Sequence, residues 1–140
     1  MPVKQKALVF DSWAIIAFYE EESVGEEVAE IIAEENERGT PMWMSIVNAG
    51  EVWYVIARRT SPVEADETIE ELRSVGIKFD NVEWEITRQA AVLKSKHTMS
   101  YADAFAAALA LQKNAHLVTG DPEFKSVEGV VKIRWLRVKP

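Results

Sequence analysis

Four carboxylates carry the chemistry this sequence offers: Asp11, Glu51, Asp103 and Asp121. Asp11 ends the apolar run Leu8-Val9-Phe10, and Asp121 follows Leu117-Val118-Thr119 after a single glycine. Glu51 comes one turn after Asn48, with Val47, Tyr54 and Val55 as neighbours on a helical wheel. Asp103 stands three residues after Ser100, at the head of an alanine-rich run. Acids at the ends of buried strands and at the beginnings of helices meet at one edge of a doubly wound sheet, the edge where such sheets hold ligands. Mg²⁺ and Mn²⁺ prefer oxygen donors. Three or four converging carboxylates suit one or two such ions; without a cation they would repel, and some would have raised pKa values. The chemistry of such a site is metal-assisted hydrolysis of a phosphodiester, in which a bound water becomes the nucleophile without any His or Cys.

Each acid also has a plainer use. Asp11 and Asp121 suit helix N-caps. Ser100-Tyr101-Ala102-Asp103 fits an acidic variant of the capping box. Glu51 could pair with Arg58 or Arg59. The four together, in this order, carry the metal reading.

The elements that must position these acids follow from periodicity. Residues Ala7 to Phe10 read as a buried strand, and Asp11 or Ser12 caps a first helix through Tyr19. A second helix starts near Ser23, with Val24, Val28, Ile31 and Ile32 on one face and Glu26, Glu27, Glu30 and Glu34 opposite. Gly39 supplies a left-handed stop and Pro41 prevents continuation. Met42 to Ser45 is a second strand. A helix from about Ile46 to Arg59 has Ile46, Val52, Val55 and Ile56 as its apolar positions. Ser61-Pro62-Val63-Glu64 is a strong helix start; Ala65, Ile69 and Leu72 face inward, and Gly76 ends that helix. Ile77 to Phe79 is a brief strand. Helices at Glu83 to Lys96 (Ile86, Ala90 and Leu93 inward) and Ser100 to Lys113 follow. His116 to Thr119 is a fourth strand, Asp121-Pro122 starts a short helix containing Phe124, and Val131 to Trp135 is a half-exposed edge strand blunted by Lys132 and Arg134. Strands alternating with helices imply a parallel sheet covered on both faces. No repeat or linker divides residues 1–140, so one domain is expected.

Composition narrows the function classes. Apolar residues at 48% and charged residues at 28% describe an ordinary globular protein. The absence of cysteine removes disulfides and thiolate metal sites and fits a reducing cytosol. Lys4 and Lys6 precede an apolar run, but Asp11 interrupts it, and the expectation is neither signal peptide nor membrane span. The net charge of −7 argues against nucleic-acid binding by the whole surface; a nucleic-acid enzyme of this charge needs bound cations and a local basic patch. Glu20 to Glu22 and Glu26 to Glu37 read as a solvated face away from substrate. No glycine-rich phosphate loop is present, and His97 and His116 are isolated.

The motifs Val9-Phe10-Asp11-Ser12, Asn48-Ala49-Gly50-Glu51-Val52, Tyr101-Ala102-Asp103-Ala104 and Thr119-Gly120-Asp121-Pro122-Glu123-Phe124 together resemble the PIN-domain family, in particular the VapC-type toxins of prokaryotic toxin–antitoxin pairs. The resemblance spans nearly the whole chain. It implies a three-layer α/β/α sandwich around a mainly parallel sheet and a Mg²⁺- or Mn²⁺-dependent endoribonuclease in the cytoplasm. It implies an acidic site of Asp11, Glu51, Asp103 and Asp121, with Ser12, Asn48 and Thr119 in support. It also implies a homodimer and a cognate antitoxin whose segment reaches the active site. Asp11, Asp103 and Asp121 are the expected metal contacts, and Glu51 either binds metal or orients the attacking water. Arg58, Arg59 and Arg88 are candidate contacts to the RNA backbone. An inhibitor could use Arg or Lys to replace the cations, and Trp53 and Tyr54 could line a groove for an antitoxin helix. The rival readings are a catalytically silent PIN-like protein-binding module and a phosphoryl-transfer domain. The second lacks the acid shortly after Asp11 that dehalogenase-type phosphatases carry, and the paired acids and late Lys of receiver domains.

Overall fold

A computed structural model describes residues 7–20 and 22–137. Lys4, Lys6 and Glu21 lie outside the described residues. The chain runs β1 (Leu8–Phe10), α1 (Ser12–Glu20), α2 (Glu22–Arg38), β2 (Met42–Ser45), α3 (Ile46–Arg59), α4 (Pro62–Ser74), β3 (Ile77–Asp80), α5 (Trp84–Lys96), α6 (Tyr101–Gln112), β4 (His116–Thr119), a 3-10 helix (Pro122–Val127) and β5 (Ile133–Trp135).

The strands pair in parallel in the order β3-β2-β1-β4-β5. The chain builds outward from β1 through β2 to β3, then returns to the other side of β1 for β4 and β5. The point of reversal lies between β1 and β4, whose register pairs Phe10 with Val118. Asp11 and Asp121 therefore leave the sheet side by side.

Each face of the sheet has its own core. Phe10, Met42 and Met44 pack with α1 to α4 through Ile15, Val28, Val52 and Leu72. Val9 and Leu117 pack with α5, α6 and the 3-10 helix through Ile86, Leu109 and Phe124. Ala104, Ala106, Ala107, Ala108 and Ala110 of α6 are all buried. Their small side chains let that helix lie close across β1, β2 and β4. Ser45, Ser61 and Ser100 cap α3, α4 and α6 by accepting from the backbone N–H groups of Val47, Glu64 and Asp103. Gly39 (φ 71°) and Gly76 (φ 99°) take the left-handed conformation where α2 and α4 end.

Three expectations change. Ile46 does not face inward: it is 37% exposed. It lies six residues before Val52, about 240° around the helix at 3.6 residues per turn, and the buried stripe is Ala49, Val52 and Ile56. The acidic face of α2 is not wholly solvated. Glu35 is buried, because it continues the inward stripe of Val28 and Ile31, and Arg38 pairs with it at 3.0 Å. The last strand begins at Ile133, with Val131 buried just ahead of it.

Candidate metal centre

Asp11 sits at the carboxyl end of β1, fully buried. Its Oδ1 accepts from the Ala14 backbone N–H at 2.8 Å, so it caps α1. Its Oδ2 accepts from the Thr119 hydroxyl at 2.6 Å. The Thr119 oxygen in turn accepts from the Asp121 backbone N–H at 3.0 Å. One hydroxyl thus ties the end of β1 to the loop after β4. Asp121 caps the 3-10 helix by accepting from the Glu123 N–H at 2.9 Å. The cap and the site use the same carboxylates, so the two readings of Asp11 and Asp121 are compatible.

Glu51 and Asp103 arrive from helices. The Ser12 hydroxyl donates to Glu51 Oε1, which holds α3 against the start of α1. Asn48 is fully buried. Its Nδ2 donates to the Ala102 carbonyl at 3.1 Å, linking α3 to the first turn of α6. Its Oδ1 is buried without a partner among the described residues. Asp103 lies in that same first turn, 7% exposed.

One carboxylate oxygen each from Asp103, Asp121 and Glu123 lie within 4.8 Å of one another. Glu123 was missing from the sequence-derived site. It stands in the Thr119-to-Phe124 motif, and the signal for it was the helix start at Asp121-Pro122, which turns the residue two places on back toward the cap.

The electrostatics agree with a cation site. Burial pushes the Asp11 carboxyl up to about 7; the Thr119 hydroxyl and the Ala14 N–H oppose that, and the charges of Asp121 and Glu51 add to it. Burial pushes Asp103 up to about 8, followed by its hydrogen bond with Glu123 and the charges of Asp121 and Asp11. The donor set is all oxygen, crowded and short of positive charge, which suits a hard divalent cation. The residues present therefore fit such an ion.

A PIN-domain family model matches residues 8–130. The chain belongs to the PIN-domain family. Several solved PIN-fold toxins share its architecture. VapC20 of Mycobacterium tuberculosis, a sarcin–ricin-loop-cleaving toxin, is 19% identical with a TM-score of 0.70, over 91% of this chain and 99% of its own. The VapBC-1 structure from nontypeable Haemophilus influenzae gives 19%, a TM-score of 0.70, and 92% and 97% coverage. DNA-bound VapBC from Salmonella typhimurium gives 18%, 0.71, and 91% and 96%. At these identities the likeness establishes the fold. Curated proteins give no sequence match.

The PIN-domain frame brings Asp11, Glu51, Asp103, Asp121, Ser12, Asn48 and Thr119 to the carboxyl edge of the sheet. It does not bring Arg58 and Arg59 there. Arg58 and Arg59 lie seven and eight residues beyond Glu51 in α3, roughly 10–12 Å along the axis at 1.5 Å per residue. Arg59 pairs with Glu20, and the Arg58 guanidinium sits 5.1 Å from the Tyr54 ring centroid. Arg88 is exposed in the first half of α5. Trp53 donates to Asp66 at 2.9 Å. His116 begins β4, at the opposite edge of the sheet from the acids. Among the described residues no helix is long and apolar enough to cross a membrane.

Proposed function

We propose that this PIN-domain protein is a divalent-metal-dependent endoribonuclease that hydrolyses RNA phosphodiester bonds as the toxin of a type II toxin–antitoxin pair. The observation that carries the reading is the gathering of Asp11, Glu51, Asp103, Asp121 and Glu123 where the strand order reverses, with two of them pushed far above ordinary carboxylate values. Asp103, Asp121 and Glu123 would hold Mg²⁺ or Mn²⁺, with Asp11 behind them. The cation supplies an activated water and a counter-charge for the phosphate. The chain's own groups set the geometry. Thr119 fixes Asp11 relative to Asp121, and Ser12 fixes the orientation of Glu51. Glu51 is only half-buried, so it can take a proton from the attacking water.

The partners of this reading are RNA, a second copy of the chain and a cognate antitoxin. The similar solved structures include a toxin–antitoxin complex from Klebsiella pneumoniae and a member of the VapBC family of toxin–antitoxin systems, and an acidic pocket invites an inhibitory Arg or Lys. The cytoplasm is the matching compartment.

The test is cleavage of total RNA, including tRNA, by purified protein with Mg²⁺ or Mn²⁺ and with chelator, with Asp11→Asn run alongside. Discrete metal-dependent cuts that vanish in the variant are the expected result. No cleavage, together with no heat of Mn²⁺ binding by calorimetry, would replace the nuclease with a silent protein-binding module.

A further inference from the structure

We infer that single-stranded RNA enters the acid site over the turn between α5 and α6, with an unpaired base stacked on Tyr101 and backbone phosphates on Lys94 and Lys96. The inference rests on the nuclease reading above and deepens it by naming the substrate class, unpaired RNA. A chain with 23 acidic residues carries none between Glu85 and Asp103. That stretch holds Arg88, Lys94 and Lys96, all exposed, and it ends at an acid of the candidate metal centre. The two lysines stand in the last turn of α5, where their charge suits the helix dipole. The dipole does not occupy their ammonium groups, however. Arg38, Arg59, Arg73 and Lys113 each pair with an acid, whereas among the described residues Lys94 and Lys96 do not.

Hydrogen bonds tie this turn to the site. Residues 97–100 join the two helices. Lys94 Nζ donates to the Met99 carbonyl at 2.9 Å. The next residue, Ser100, accepts from the Asp103 N–H at 3.1 Å. The ammonium is thus pinned one residue before the cap that holds Asp103. Tyr101 shares the first turn of α6 with Asp103. Side chains on one turn lie within the width of a helix, roughly 10–12 Å. That is about three stacked nucleotides at about 3.4 Å each.

The Tyr101 ring is 44% exposed, although residues 103–110 of the same helix are all buried. Buried Phe105 braces it from one side, with ring centroids 4.9 Å apart and planes at 58°. Such a pair one turn apart steadies a helix, but that use does not call for an aromatic face left in water. A ring fixed on one side and open on the other is a platform for a base, and stacking tolerates any base sequence. A base inside a duplex is already stacked on both sides, so the ring selects unpaired RNA. The lysines supply the local positive charge that a chain of net charge −7 needs for phosphate contacts. Arg58 and Arg59 do not supply it there, being engaged with Tyr54 and Glu20 along α3.

Binding without turnover tests it. The full chain carrying Asp11→Asn, with Mg²⁺, is titrated into a fluorescein-labelled single-stranded RNA of about 12 nucleotides and into the duplex of the same sequence, read by anisotropy. The single strand should bind more tightly than the duplex. Adding Tyr101→Leu, which keeps an apolar contact for Phe105, should weaken binding about tenfold, while Tyr101→Phe should bind like the parent. A 2-aminopurine placed in the RNA should be quenched by the parent and by Tyr101→Phe but not by Tyr101→Leu. Lys94→Gln and Lys96→Gln should each flatten the slope of log Kd against log salt by about 0.7. No binding of the single strand by the parent would overturn the inference. So would equal binding of the duplex, or a Tyr101→Leu protein that binds and quenches as the parent does. A poly-glutamate competitor as effective per charge as unlabelled RNA would reduce the turn to an anion patch and overturn it too. These readouts need no cleavage. RNA that stacks on Tyr101 but is never cut by wild type would sink the nuclease reading alone, and metal-dependent cutting with Tyr101→Leu at full affinity would sink this one alone.

Discussion

Asp11 and Asp103 are acids that the fold holds at the expense of their charged forms, and that has a stability consequence with a definite sign. Burial holds both folded values, about 7 and about 8, well above the ordinary aspartate value of about 4. Between those limits the folded state binds more protons than the unfolded one, so stability falls as pH rises from about 4 and levels off above about 8. Metal-free Asp103→Asn should therefore unfold later than wild type at pH 8, by roughly 1–3 kcal/mol given 1.36 kcal/mol per pKa unit, and the gain should disappear near pH 4. Denaturant melts at the two pH values check this. Thr119 is fully buried and serves two partners with one hydroxyl. Thr119→Val keeps the shape but leaves the Asp121 N–H and Asp11 Oδ2 unpaired, at about 1–3 kcal/mol. RNA cleavage should fall on the order of 10–100-fold, as expected for a group that orients a metal ligand, with Thr119→Ser restoring most of it. Equal rates for Thr119→Val and wild type would remove Thr119 from the site.

At the scale of elements, the site depends on how α3 and α6 meet. Glu51 rides on α3 and Asp103 on α6, and the Asn48-to-Ala102 hydrogen bond joins the two helices between them. Asn48→Ala should cost roughly 1–2 kcal/mol as one buried hydrogen bond is lost. It should also cut cleavage more than tenfold in kcat with KM little changed, since no RNA group reaches a fully buried side chain. A purely structural role would lower the melting point and leave the rate of the folded fraction alone. This junction also marks how far the sequence could be read. Strand ends, caps and glycine stops announce themselves locally, so Asp11, Asp121, Ser45, Ser61, Ser100, Gly39 and Gly76 were legible from neighbours a few residues away. The grouping of Glu123 with Asp103 was not, because it depends on the tilt of a 3-10 turn against a helix twenty residues earlier. The burial of Glu35 was legible in principle from its place in the Val28 and Ile31 stripe, but residue type hid it among glutamates. The exposure of Ile46 was hidden because an apolar residue at a helix start looks the same in sequence whether it faces a core or solvent.

Over the whole molecule, 23 acidic residues face 16 basic ones, and two kinds of repulsion must be kept apart. The glutamates of α2 repel through water, where salt screens within about 8 Å at physiological ionic strength. Asp11 and Asp103 repel their neighbours from inside the protein, where salt does not reach. Only an ion that enters the site relieves the second kind. Saturating Mn²⁺ at about 100 times its dissociation constant adds about 2.7 kcal/mol, which for a domain of this size is on the order of 5–10 °C in Tm. NaCl at about 0.5 M should give a much smaller rise, because it acts only on the screened surface pairs. Glu123→Gln should reduce the Mn²⁺-dependent rise by weakening the three-oxygen group, while leaving the NaCl response as it is. Calorimetric melts of wild type and Glu123→Gln in each salt make the comparison. A Mn²⁺ rise matched by NaCl would place the stabilisation on the α2 surface and leave the acids between β1 and β4 without a cation to hold.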